Sequence, residues 1–248
     1  MKTLTQHIKE DFKISQHTSV LSQFPTNTKQ LKQIIDARYA KNPKHLDLRD
    51  IDVSKIRTFY LDKYNAFKDR QNGLFMNFNE VETIDIRGWD TSHVQNMSHM
   101  FGGCYKLTNI YGIEKIDVSR VKNMCAMFCW CTSLKEIDVS DWNTERVTDM
   151  QAMFGKSGIT NIIGLNKLNV KKVKTMARMF SNCKMTDLDI EGWETYALTD
   201  IKEMFRMCKN LKNIYGISSI YTQKITSHDD AFKDVEINQD ILWYYHLW

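Results

Sequence analysis

The stretch Trp89-Asp90-Thr91-Ser92-His93-Val94-Gln95-Asn96-Met97-Ser98-His99-Met100-Phe101-Gly102-Gly103-Cys104 decides the fold, because the chain writes it repeatedly. Met-Phe pairs close five repeats, at Met100-Phe101, Met127-Phe128, Met153-Phe154, Met179-Phe180 and Met204-Phe205, and Ala231-Phe232 closes a sixth. The intervals run from 25 to 27 residues, and self-similarity at such a period is the signature of a stacked repeat array. Eleven residues before each Met (or Ala231) stands a large apolar anchor: Trp89, Ile116, Trp142, Leu168, Trp193 or Ile220. Val94, Met97, Met100 and Phe101 then step by three, three and one, which is one face of a helix. Upstream, Ile84 and Ile86 flank Asp85, Ile137 and Val139 flank Asp138, and Leu188 and Ile190 flank Asp189. That alternation is a short strand with one buried face. Ser92 and Ser119 precede the helical stretches, where a hydroxyl caps free N–H groups. Each repeat is expected to run strand, turn, short helix, turn.

A second period overlies the first. Trp anchors recur at 89, 142 and 193, and the repeats between them carry Gly112, Gly164 and Gly216. The unit of duplication reads as a pair of repeats, in which each bulky Trp has a slimmer neighbour. Leu46, Leu48, Ile51 and Ile56 have the spacing of Ile84, Ile86, Trp89 and Val94, so a degenerate repeat precedes the six. Ala66-Phe67 closes it four residues late, and residues 69–79 read as an added loop.

These strings resemble the repeat of the BspA-like leucine-rich-repeat proteins, found in bacterial surface adhesins, mycoplasma surface proteins and bacteriophage-encoded proteins. Trp89 to Cys104 carries the resemblance, and Leu134-Lys135-Glu136-Ile137-Asp138-Val139-Ser140-Asp141-Trp142 is similar to the strand half. It extends well over residues 81–236 and weakly over 45–67. It implies an α/β, leucine-rich-repeat-like solenoid with a binding or surface role and no catalysis.

The expected architecture is about seven strand-turn-helix coils. Residues 1–44 form a helical arm and N-terminal cap, 45–80 the degenerate repeat with its insertion, 81–236 the six repeats, and 237–248 an aromatic C-terminal cap. Raw solenoid ends need such caps. Leu31, Ile34, Ile35 and Tyr39 supply the helical stripe of the first, after a linker ending at Phe24-Pro25-Thr26-Asn27. Leu4, Ile8 and Phe12 form a narrower stripe, belonging either to a helix docked on this chain or to an arm reaching another subunit. The same two readings hold for the tail with Trp243, Tyr244, Tyr245 and Trp248, since large aromatic side chains are worth roughly 1.5–3 kcal/mol each when buried.

Thirty-four basic against 30 acidic residues give a net charge of +4, no footprint of a nucleic-acid binder. Lys2, Lys9, Glu10, Asp11 and Lys13 break any secretory core at the start, and no run reaches the roughly 18 apolar residues of a membrane span. A cytoplasmic or virion-associated protein is expected. Motifs for hydrolase nucleophiles, zinc proteases, P-loops and dinucleotides are missing, so no enzyme, small-molecule substrate, cofactor or metal is expected. Cys104, Cys131, Cys183 and Cys208 recur in register as small core residues, and Cys125 and Cys129 are extra. The Met column reads as core, and His93 and His99 as exposed helix residues.

Candidate binding residues are then the outward strand positions Asp85, Tyr111, Asp138, Ile163, Asp189 and Tyr215, a ladder of acceptors and aromatic anchors. Protein–protein interaction or a structural role is the first functional reading, including service as a subunit of a larger assembly such as a phage virion. A free-standing recognition or adhesion module using its strand face is the alternative. A basic ridge at Lys167, Lys171, Lys172, Lys174 and Arg178, meeting nucleic acid or an acidic partner, comes third.

Overall fold

The computed structural model describes residues 24–61 and 72–236. One α-helix among them, α1 (Thr28–Lys41), precedes seven three-residue strands: β1 (His45–Asp47), β2 (Thr83–Asp85), β3 (Asn109–Tyr111), β4 (Glu136–Asp138), β5 (Asn161–Ile163), β6 (Asp187–Asp189) and β7 (Asn213–Tyr215). All pairing between strands is parallel and in register, with the central residue of each turned inward. The strands form sheets β1-β2-β3, β4-β5 and β6-β7. A second parallel ladder climbs another face through Asn96, Asn123, Asp149, Thr175, Asp200 and Ser227. Five uninterrupted turns connect those residues, fewer than the seven coils expected. The fold is a β-solenoid.

The short helices expected in every repeat do not form. From Met97 to Cys104 the chain is a run of tight turns. Met97, His99, Phe101 and Gly103 donate their N–H groups to the carbonyls of Asn123, Cys125, Met127 and Cys129 in the next coil, at 2.8–2.9 Å. Met100, Gly102 and Cys104 donate to carbonyls three residues back, at 3.0–3.2 Å. Alternate amides thus leave the coil, and no continuous helical ladder exists. His99, Ala126, Ala152, Arg178, Glu203 and Asp230 hold the turns open with φ between 51° and 59°. Ser92 and Ser119 do not cap; the carboxylates of Asp90 and Asp117 accept their backbone N–H groups at 3.0 and 2.8 Å, as Asp does in an Asx turn.

The core is a set of columns. Phe75, Phe101, Phe128, Phe154, Phe180, Phe205 and Phe232 stack with centroids 5.1–5.9 Å apart. Phe75 therefore fills the ring position of the first coil. Phe67, expected there, lies outside the described residues, and the extra chain falls before Phe75. Beside the rings, the thiols of Cys104, Cys131, Cys183 and Cys208 donate to the carbonyls of Phe75, Phe101, Phe154 and Phe180 at 2.9–3.2 Å. The Met column is buried.

The pairing of repeats has a bonding cause. The indole N–H groups of Trp89, Trp142 and Trp193 donate to the carbonyls of Leu48, Ile113 and Leu165 in the coil before, at 2.9–3.1 Å. Ile113 and Leu165 open 3₁₀ turns that Gly112 and Gly164 initiate with left-handed backbone. At Gly164 a Cβ would meet Ser140 Cα at 2.3 Å, so no larger residue fits beside that backbone. The slimmer neighbour is needed for contact with the preceding coil rather than to make room for Trp.

α1 begins where Asn27 accepts the N–H of Gln30 at 3.0 Å. It buries Leu31 and Ile35 completely against the core of the first coil. Tyr39 stacks on Phe78 at 4.0 Å, and Arg38 grips Asp50 through both terminal nitrogens, at 2.5 and 2.6 Å. No helix among the described residues is long and apolar enough to cross a membrane.

Candidate interaction surface

Parallel register brings the outward strand residues together in pairs. Asp85 lies opposite Tyr111, Asp138 opposite Ile163, and Asp189 opposite Tyr215. The acidic members are all engaged, each accepting the backbone N–H two residues on in its own coil. Asp85 accepts the N–H of Arg87 at 3.1 Å and its guanidinium at 2.5 Å. Asp138 accepts the N–H and hydroxyl of Ser140 at 2.9 and 2.6 Å, bonds that hold its carboxyl below the usual range. Asp189 accepts the N–H of Glu191 at 2.9 Å and the Asn166 amide at 2.7 Å. Each ends its strand by an Asx turn. The apolar members remain in solvent, with Tyr111 47%, Ile163 40% and Tyr215 55% exposed. Arg87 lies over the Tyr111 ring at 5.7 Å.

The face opens where a Gly repeat meets the next Trp repeat, since β5 and β6 belong to different sheets. A cleft of about 300 Å³ fills that junction, lined by Asn161, Gly164, Asn166, Asp187, Asp189 and Tyr215 among others. The expected face thus divides into structural carboxylates and an exposed Tyr111-Ile163-Tyr215 column. Leu4, Ile8, Phe12, Trp243, Tyr244, Tyr245 and Trp248 lie outside the described residues.

A second face carries residues that pattern reading missed. Tyr105 and Trp130 are 41% and 44% exposed, with ring centroids 6.3 Å apart. They border a cleft of about 480 Å³ that also takes in Asn72, Asn77, His99 and Gly103. Trp130 stood out only as the large residue in Cys129-Trp130-Cys131. His93 and His99 are half-buried on turns rather than exposed on a helix. Lys167, Lys171, Lys172, Lys174 and Arg178 are all exposed, but Lys171 pairs with Glu194 at 3.1 Å and Arg178 with Glu203 at 2.9 Å. Burial pushes the thiols of Cys104 and Cys125 up to about 12 and those of Cys129 and Cys208 to about 11. No group of His, Cys, Asp and Glu able to hold a metal ion occurs among the described residues.

The family model described as Mycoplasma protein of unknown function, DUF285, matches residues 70–162 and again 159–244. The chain belongs to this family. The first DUF285 match begins just before Phe75, the first ring of the stack, and the two matches divide the array near β5. The family unit is thus several coils long, as expected where one coil cannot bury its own core. No curated protein and no solved structure matches the chain.

Proposed function

We propose that this DUF285 solenoid is a non-catalytic interaction or structural protein that binds a protein partner through its strand face. The observation that carries it is the Tyr111-Ile163-Tyr215 column, three large apolar side chains held outward on a rigid, bonded scaffold. At about 4.8 Å per coil they stand roughly 10 Å apart, a spacing that fits an extended partner laid across the coils. Aromatic anchors on a preorganised surface are the usual carriers of binding energy. The absence of catalytic motifs in the sequence supports a role without chemistry.

The partner is a further subunit, placing the chain in a larger assembly, with α1 as the cap of one end of the array. The similarity of the repeat to BspA-like proteins, phage-encoded ones included, supports this reading. Light scattering on the full chain tests it, beside a Tyr111→Ser/Ile163→Ser/Tyr215→Ser variant. Self-association that the variant loses, with its circular dichroism unchanged, is the expected result. Undiminished self-association in the variant would move the contact off the strand face. A strictly monomeric full chain would remove the self-assembling version.

A further inference from the structure

The repeat does not explain Trp130. It lies two residues after its Phe ring, a position held in the other coils by Asn77, Gly103, Lys156, Asn182, Met207 and Asp234. Every residue of this column has positive φ. Gly, Asn and Asp suit such backbone, whereas a bulky side chain costs about 1–3 kcal/mol there. Trp130 adopts φ 64° and still leaves 44% of its surface in solvent.

Its indole is contacted from both neighbouring coils: Tyr105, in the coil before, meets it at 72° with centroids 6.3 Å apart, and Lys156, one coil further on, sets its Nζ 4.3 Å from the ring centroid. On the opposite side the same column holds Gly103, whose missing side chain leaves a slot reaching to Asn77 in the coil beyond. Two coil spacings put the Trp130 and Asn77 backbones about 9.6 Å apart, and the cleft that both border, about 480 Å³, has room for one ring. Asn77 overhangs the floor closely enough that a Cβ on Gly103 would lie 2.5 Å from its Oδ1. The slot belongs to the 480 Å³ cleft, and no Asp, Glu, Lys or Arg is among the residues described as lining it. Asn77 and His99 face it with an amide and an imidazole, and burial lowers the pKa of His99, keeping it neutral.

We propose that this slot binds one pyranose ring of a carbohydrate. A pyranose offers an apolar C–H face, which packs on the exposed part of the Trp130 ring that borders the cleft. Its rim of hydroxyls needs partners that both donate and accept, and the Asn77 amide and neutral His99 do both. The lining by described residues carries no charge, which favours a neutral polyol over a nucleotide or an acidic peptide. One ring against one aromatic wall gives a Kd on the order of 1 mM.

Nitrogen-15 spectra of the full chain report each indole N–H separately. The probes are the methyl glycosides of glucose, galactose and N-acetylglucosamine, raised to tens of millimolar. The resonance missing from Trp130→Ala should shift saturably with at least one of them. Trp89, Trp142 and Trp193, bonded to backbone carbonyls inside, should not move. Gly103→Asn keeps a residue that tolerates left-handed backbone but fills the slot. It should abolish the shift while the three buried indole signals stay in place. A Trp130 signal unmoved by all three sugars would overturn the proposal, as would a shift that survives Gly103→Asn. Saturation by adenosine but by none of the sugars would assign the slot to planar aromatic ligands instead.

Discussion

At the scale of the residue, the same φ carries different consequences in different coils. Gly164 and Gly192 both have left-handed backbone, at φ 78° and 82°. A Cβ on Gly164 would lie 2.3 Å from Ser140 Cα, whereas nothing lies within 4 Å of one on Gly192. Gly192→Ala bears only the backbone cost, about 1–2 kcal/mol. Gly164→Ala adds a clash with backbone that cannot rotate away, and should cost at least about 3 kcal/mol in urea unfolding. Equal costs would show that the close approach relaxes freely. The buried thiols make a separate prediction. Burial raises Cys104 to about 12 and Cys208 to about 11, against about 8.5 in an unfolded chain. The unfolded state therefore releases its thiol protons first. The stability linked to these protons is complete below about pH 8.5 and is lost as pH climbs towards the folded values. Urea midpoints at pH 8 and pH 10.5 should fall apart, and Cys104→Val should narrow the gap; an unchanged gap would remove Cys104 as a contributor.

At the scale of the element, the pattern was legible and its meaning was not. Val94, Met97, Met100 and Phe101 are all buried, as a helical face requires. A chain of turns with inward residues at the same positions produces the same record. The distinction lies in where alternate N–H groups go, to the next coil rather than back along the chain, and that is a property of the neighbour. The strands were easier, because Ile84 and Ile86 around Asp85 fix a period of two without help. The alternation of Trp and Gly repeats was visible too, but its cause required the indole N–H bonds to be seen. Trp142→Phe keeps the ring and strands the buried carbonyl of Ile113. It should cost about 1–3 kcal/mol for the unpaired acceptor, read as a lowered urea midpoint. A loss near zero would mean the carbonyl finds another partner.

At the scale of the whole molecule, the stacking of like on like made the core predictable and left the surface obscure. A column of Phe at a fixed interval can only be interior. An Asp ladder reads as a binding surface until each carboxylate is found closing its own turn, and Trp130 is one residue among 248 until its column is known. The same one-dimensional stacking governs how the molecule comes apart. Each coil is stabilised by the coil on either side, so stability is close to a sum of neighbour terms. Phe154 lies between Phe128 at 5.7 Å and Phe180 at 5.9 Å, whereas Phe232 stacks on Phe205 alone among the described residues. Phe154→Ala breaks two contacts in the middle and should cost about 3–5 kcal/mol. Hydrogen exchange should then quicken in the coils on both sides of the break and spread outward. Phe232→Ala sits at the end, where the loss should stay local, with faster exchange in the last coil and little change around Phe101. If the two variants quickened exchange uniformly from Phe75 to Phe232, the array would be unfolding as one cooperative block, and the neighbour-by-neighbour account would be wrong.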